Sequence, residues 1–158
     1  MLDTGYFIER AERLYQYPHF ICDTGGSICE WVNAEDPADP VLSALAAHTL
    51  MVWIEGSQDH TAELIRRFDR APKPMAYMPE FLARTWAEYR ALNNQSDAEV
   101  DPDAFIRWTY AQALAHRQPR YAAIARHWGV TVQADDVARV HSPQDFDALI
   151  AQAIAAKS

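Results

Sequence analysis

The chain has 158 residues, 49% of them hydrophobic, with 22 acidic against 14 basic residues and a formal charge of −8. That length and apolar content suit one domain with a real core; the acidic balance, without a basic tract or face, excludes nucleic acid or an anionic membrane as the main partner. No apolar stretch is long enough to cross a bilayer, the amino terminus lacks a signal-peptide core, and Cys22 and Cys29 make no disulfide framework, so the expected compartment is the cytoplasm.

In chain order, Gly5 to Tyr17 reads as a helix with Phe7, Ile8, Ala11, Leu14 and Tyr15 on one face. Pro18 ends it, and the apolar run His19-Phe20-Ile21-Cys22 is expected to form a buried strand that delivers Asp23 to its carboxyl end. Ala34 to Pro40 is a polar, proline-bearing loop, and Val41 to His48 a short helix. Thr49 to Ile54 is apolar throughout and reads as a strand buried on both faces, after which Gly56 and Ser57 turn the chain into a helix over Gln58 to Asp69. Pro72 and Pro74 stop that helix.

The second half reads as mostly helical. Pro79 opens a helix with Leu82, Thr85, Trp86, Tyr89 and Leu92 in a stripe, and Asn93 to Asp101 is a polar loop. Asp101 caps the next helix, with Pro102 at its first position and Ile106, Thr109, Tyr110, Ala113 and Leu114 on one side. Pro119 is expected to divide it from a helix over Arg120 to Trp128, where Tyr121, Ile124, Ala125 and Trp128 repeat the pattern. Gly129 is a helix stop, Val130-Thr131-Val132 a short strand, and Ser142-Pro143 starts a last helix with Phe146, Leu149, Ile150, Ala153 and Ile154 inward. With no repeats or linkers, residues 1–158 read as a single α/β domain rich in helix with few parallel strands.

Two segments carry chemistry. Asp23 followed by Thr24, Gly25, Gly26 and Ser27 is an acid and a glycine-bearing loop after an apolar run, the pattern that puts a Mg²⁺-holding carboxylate at a sheet edge. Leu64 to Met75 holds Arg66, Arg67, Arg70 and Lys73 against Asp69 alone, a basic island in an acidic chain. The arginine spacings place guanidinium groups on one helical face, where they suit phosphoryl oxygens, and Lys73 sits on a stiff turn between two prolines. Taken singly, the acid also reads as a turn or cap and the arginines as a solvated face.

These strings, with the lead-in YPHFICDTGGSICE, the run TLMVWIEG, HTAELIRRFDRAPKPM and DPDAFIRWTYAQALAHRQPRY, resemble the carboxyl-terminal half of bacterial P-loop proteins labelled ATPase, of small-molecule-kinase type. The resemblance implies a kinase-like three-layer P-loop fold, with Asp23 as the Walker B-like acid serving Mg²⁺ and Arg66, Arg67 and Arg70 in a lid like that of shikimate- and gluconate-type kinases. It also implies ATP with Mg²⁺ as cofactors, a nucleotide or phosphorylated small molecule as partner, and Thr24, Gly25, Gly26, Ser27 and Lys73 among the groups around the phosphates. The glycine-rich phosphate loop of that family, with its Lys and Ser or Thr, is missing from this sequence. The chain is therefore expected not to hydrolyse ATP alone. It reads as a fragment, the product of a late start codon, or a chain that completes its sheet by rearrangement or as a homo-oligomer.

Other readings compete. Asp23-Thr24-Gly25 is also an aspartic-protease signature, but that fold is nearly all β and this chain is helical. His19, Cys22 and Cys29 lack the second pair that zinc needs, and Ile28 occupies the place where a phosphatase loop carries its arginine. A non-enzymatic interaction or self-associating module remains the alternative, because five tryptophans and seven tyrosines are much aromatic surface for this length.

Overall fold

The computed structural model describes residues 1–157, which fall into two compact units: Met1–Gly56 with Arg117 onward, and Ser57–His116. The helices are α1 (Thr4–Tyr15), α2 (Pro40–Ala46), α3 (Gln58–Arg70), α4 (Pro79–Asn93), α5 (Pro102–Trp128), α6 (Ala134–Val137) and α7 (Pro143–Lys157). The strands are β1 (Met51–Glu55) and β2 (Gly129–Gln133), and short 3₁₀ turns cover Gly26–Glu30 and Asp97–Glu99. Helix α5 contributes to both units, its residues through His116 to the second and those from Arg117 to the first. The expected helix-rich chain with few parallel strands is what forms.

In the first unit β1 and β2 pair in parallel, from Met51 opposite Gly129 to Glu55 opposite Gln133. Gly129 ends α5 and begins β2, and only a glycine fits there, because a Cβ would collide with the Met51 carbonyl. Helices α6 and α7 pack on β2, and α1 packs on α2. The core is Ile28, Cys29, Leu42, Leu45, Ala125, Val130 and Val132. Asp39 caps α2 by accepting from the Val41 and Leu42 N–H groups at 3.0 and 2.9 Å, and its other oxygen takes the Asn33 N–H at 2.9 Å. Burial opposes ionisation of Asp39, yet these three donors hold its carboxyl below the usual range.

The second unit is built of helices joined by irregular chain and contains no strand among the described residues. Ser57 caps α3 in a box with His60, and Thr85, Phe81, Val100, Phe105, Thr109 and Ala113 form its centre. Around them, Trp86 and Tyr89 meet the Phe105 ring edge-on at 4.8 and 5.4 Å, and Phe68 stacks on Tyr110 at 4.0 Å. On α4 the buried positions are Phe81 and Thr85; Leu82 and Leu92, in the same periodic stripe as Thr85, are exposed.

Further expectations are overturned, among them that Phe146 and Ile154 face inward on α7, where both are exposed. No strand forms over His19–Cys22: residues 16–25 are irregular, Ile21 is 91% exposed, and β1 takes β2 as its partner instead. An apolar run without a neighbouring strand leaves its backbone donors unpaired in a sheet, so it stays in contact with water. Pro119 does not divide α5, which runs through it at the cost of the single hydrogen bond that a proline cannot donate to Ala115. Strand β1 is half-buried with Ile54 exposed, because a two-stranded sheet cannot cover both faces of a strand.

Candidate functional site

The Asp23 carboxylate is on the surface. Its Oδ1 accepts from the Gly25 N–H at 2.9 Å, closing a local turn of the kind Asp commonly makes. Gly25 has φ 64°, a left-handed conformation that favours glycine. Thr24 is half-buried, Gly25, Gly26 and Ser27 are exposed, and Gly26 lies so close to the Tyr121 hydroxyl that a Cβ would meet it. Asp23 thus offers one solvated carboxylate, and among the described residues no group of three His, Cys, Asp or Glu side chains is arranged to hold a metal ion.

The basic island lies in the second unit, Asp23 in the first. Arg66 Nε reaches Glu63 Oε2 at 2.7 Å and Arg67 Nε reaches Glu63 Oε1 at 2.8 Å, so one carboxylate gathers both arginines. Hydrogen bonds from Arg67 and then Arg66 hold the Glu63 carboxyl below its ordinary value. Arg70 ends the same helix and Lys73 follows it, both exposed; no residue of α3 is buried.

A partly enclosed ionic cluster of the first unit lies outside both segments singled out by sequence. Glu30, with its side chain 8% exposed, receives Arg117 Nε on Oε1 at 2.9 Å and Arg120 Nη1 on Oε2 at 2.8 Å. Arg120 also donates to the Cys29 carbonyl at 3.3 Å. Beside them, burial and then the Glu30 charge push the Cys29 thiol up, while burial and then Cys29 push the Tyr121 hydroxyl up to about 12. Against the cost of burial, the Glu30 hydrogen bond keeps the Arg117 guanidinium above its ordinary value. Near neutral pH this is one carboxylate between two cations, with a neutral thiol and phenol at its side.

Further along α5, Trp128 Nε1 donates to the Ala34 carbonyl at 2.9 Å and Arg126 pairs with Glu35 at 3.0 Å. The carboxyl half of α5 therefore fastens the segment from Gly26 to Glu35. The signal for it was present in HRQPRY, where Arg117 and Arg120 stand three apart on one helical face. Reading Pro119 as a break split that face.

No protein-family model, curated protein or solved structure matches this sequence. Likewise, no helix among the described residues is long and apolar enough to cross a membrane.

Proposed function

We propose that this chain is an ATP-binding, kinase-like protein that recognises nucleotide phosphates through α3 and does not turn ATP over alone. The observation that carries the reading is the exposed series Arg66, Arg67 and Arg70, on a helix with no buried residue and with exposed Lys73 just beyond its end, in a chain of net charge −8. Guanidinium groups left to solvent, with a single carboxylate gathering two of them, can exchange that partner for phosphoryl oxygens. Within the first unit, Asp23 would offer Mg²⁺ one carboxylate beside waters, the usual sparse protein ligation of that ion. The resemblance supplies a three-layer P-loop kinase-like fold and Thr24, Gly25, Gly26 and Ser27 beside the γ-phosphate or its acceptor, while the two cysteines without a disulfide framework supply the cytoplasmic reading.

Calorimetric titration of the full chain with ATP and Mg²⁺ tests this directly. Binding that Arg70→Ala and Asp23→Asn both weaken is the expected result. No heat at millimolar nucleotide would sink the proposal.

A second reading, a self-associating module, rests on a different observation. Tyr6, Phe7, Leu14, Tyr15, Tyr17, Phe20, Ile21 and Trp31 are all exposed in the first unit. Burial of such surface against a second copy is favourable at roughly 25 cal/mol per Å². Sedimentation over a wide concentration range distinguishes the readings: a concentration-dependent dimer lost in Phe7→Glu supports association, and a monomer throughout removes it.

A further inference from the structure

We infer that Arg117 and Arg120 form a phosphoryl-anion site that Glu30 keeps closed, so that an entering phosphoryl anion undocks the Gly26–Glu30 turn from α5. The inference goes beyond α3 and concerns residues of the first unit only. It starts from geometry: two guanidinium groups converge on one carboxylate, one oxygen each, at 2.9 and 2.8 Å. A phosphoryl group offers the same pair of oxygens with a further oxygen and up to twice the charge. One carboxylate leaves the two cations undercompensated, and the nearby Cys29 and Tyr121 are neutral near pH 7.

There is also a way in. The Arg120 side chain is 42% exposed, whereas those of Arg117 and Glu30 are 13% and 8% exposed, so an anion meets Arg120 first. The element that must yield is held weakly by its own backbone. It is a five-residue 3₁₀ turn preceded by irregular chain, and its Ile28 N–H to Gly25 carbonyl bond is long, at 3.4 Å. Its position rests on the Glu30 carboxylate, on the Arg120 bond to the Cys29 carbonyl, on the buried Ile28 and Cys29 side chains and on the close seat of Gly26 against Tyr121. Because Glu30 competes as a tethered ligand, an outside anion is needed at about millimolar concentration.

The turn carries its own reporter. Cys29, within the turn, is buried, and Cys22 is exposed. In a Cys22→Ser chain the rate of Cys29 reaction with a thiol reagent reads how often the turn is open. The probes are inorganic phosphate, pyrophosphate and ATP, each against chloride at equal ionic strength. The expected result is a saturable rise of roughly tenfold in Cys29 labelling at about 10 mM pyrophosphate, absent in Arg120→Ala. A rise with pyrophosphate and ATP alike assigns the site to the phosphoryl group, and a rise with ATP alone to a nucleotide; both support the inference. Labelling that no anion changes in the otherwise native chain would overturn it and leave the cluster a fixed structural clamp, whether or not Arg120→Ala folds. A rise that persists in folded Arg120→Ala would overturn it too, because the anion would act elsewhere. Gly26→Ala, which crowds Tyr121 without touching a charge, should raise labelling with no anion present. The outcome is separable from ATP binding at α3, because only a rise that Arg120→Ala abolishes counts, and both Arg120 and the reporting thiol lie in the first unit.

Discussion

Two carboxylates in this chain each grip two arginines, and they teach opposite lessons. Glu63 binds Arg66 and Arg67 along one exposed helix, three and four residues away, with all three side chains at least one-third in solvent. Glu30 binds Arg117 and Arg120 across 87 and 90 residues of sequence, with its own side chain 8% exposed. In the exposed triad, water and salt already solvate every charge, so the pairing adds little to stability and the arginines stay available to other anions. In the other, Glu30 and Arg117 have been taken largely out of water while Arg120 keeps 42% of its side chain exposed, so losing Glu30 strands the Arg117 charge. The first triad stands open to an anion, whereas the second holds a loop for as long as Glu30 keeps its place.

The sharpest way to break this contrast is to remove Glu30. Glu30→Ala leaves Arg117 buried without its carboxylate and should destabilise the fold by about 3–5 kcal/mol in urea titration. A loss below about 1 kcal/mol would mean that the cluster is as solvated as the α3 triad. Asp39→Ala is the next largest effect, about 2 kcal/mol, because the buried carboxylate satisfies the Asn33, Val41 and Leu42 N–H groups at once. Its stabilisation is present above the ordinary carboxyl value of 3.8 and is lost as pH falls through the lower value of the folded chain.

Alkaline pH should also separate the two regions. Cys29 and Tyr121 both ionise at higher pH in the folded chain than in the unfolded one, with Tyr121 at about 12. The unfolded chain therefore releases its protons first, near 9.0 for the thiol and 10.0 for the phenol, so stability is complete below that range and falls as pH rises toward about 12. Urea midpoints measured from about pH 8 to about 11 should decline, and Tyr121→Phe should flatten the upper part of the decline. An unchanged slope in Tyr121→Phe would show that the phenol titrates freely.

The same contrast explains what could be read from sequence. Local patterns were legible: α3, its arginines, the Pro102 start of α5 and the Gly129 stop all follow from neighbours within one or two helical turns. Long-range pairing was not. The run Phe20–Cys22 has strand composition but no strand to pair with, and β1 found its partner in β2. Pro119 reads as a break by its missing N–H, yet Arg117 and Arg120 on either side of it are tied to Glu30, and the helix continues. Asp39 looked like one more polar loop residue because the N–H groups it satisfies are visible only once the chain is folded.

The smallest expected change in stability carries the most information about function. Glu63→Ala removes an exposed carboxylate that Arg67 and Arg66 hold below its ordinary value of 4.5, so its contribution is present above that pH and lost below it. Because solvent screens the triad, the thermal midpoint should stay within measurement scatter at neutral pH, and salt should erase any difference that remains. Phosphate binding should move instead. With Glu63 gone, Arg66 and Arg67 no longer share a competing anion, and the affinity of the chain for ATP with Mg²⁺ should rise roughly twofold to fivefold in calorimetry at low salt. A fall in affinity at unchanged stability would give Glu63 the opposite role, that of orienting the two guanidinium groups toward the phosphates. No change in either quantity would take α3 out of phosphate recognition and leave the exposed aromatic face as the better guide to what this protein does.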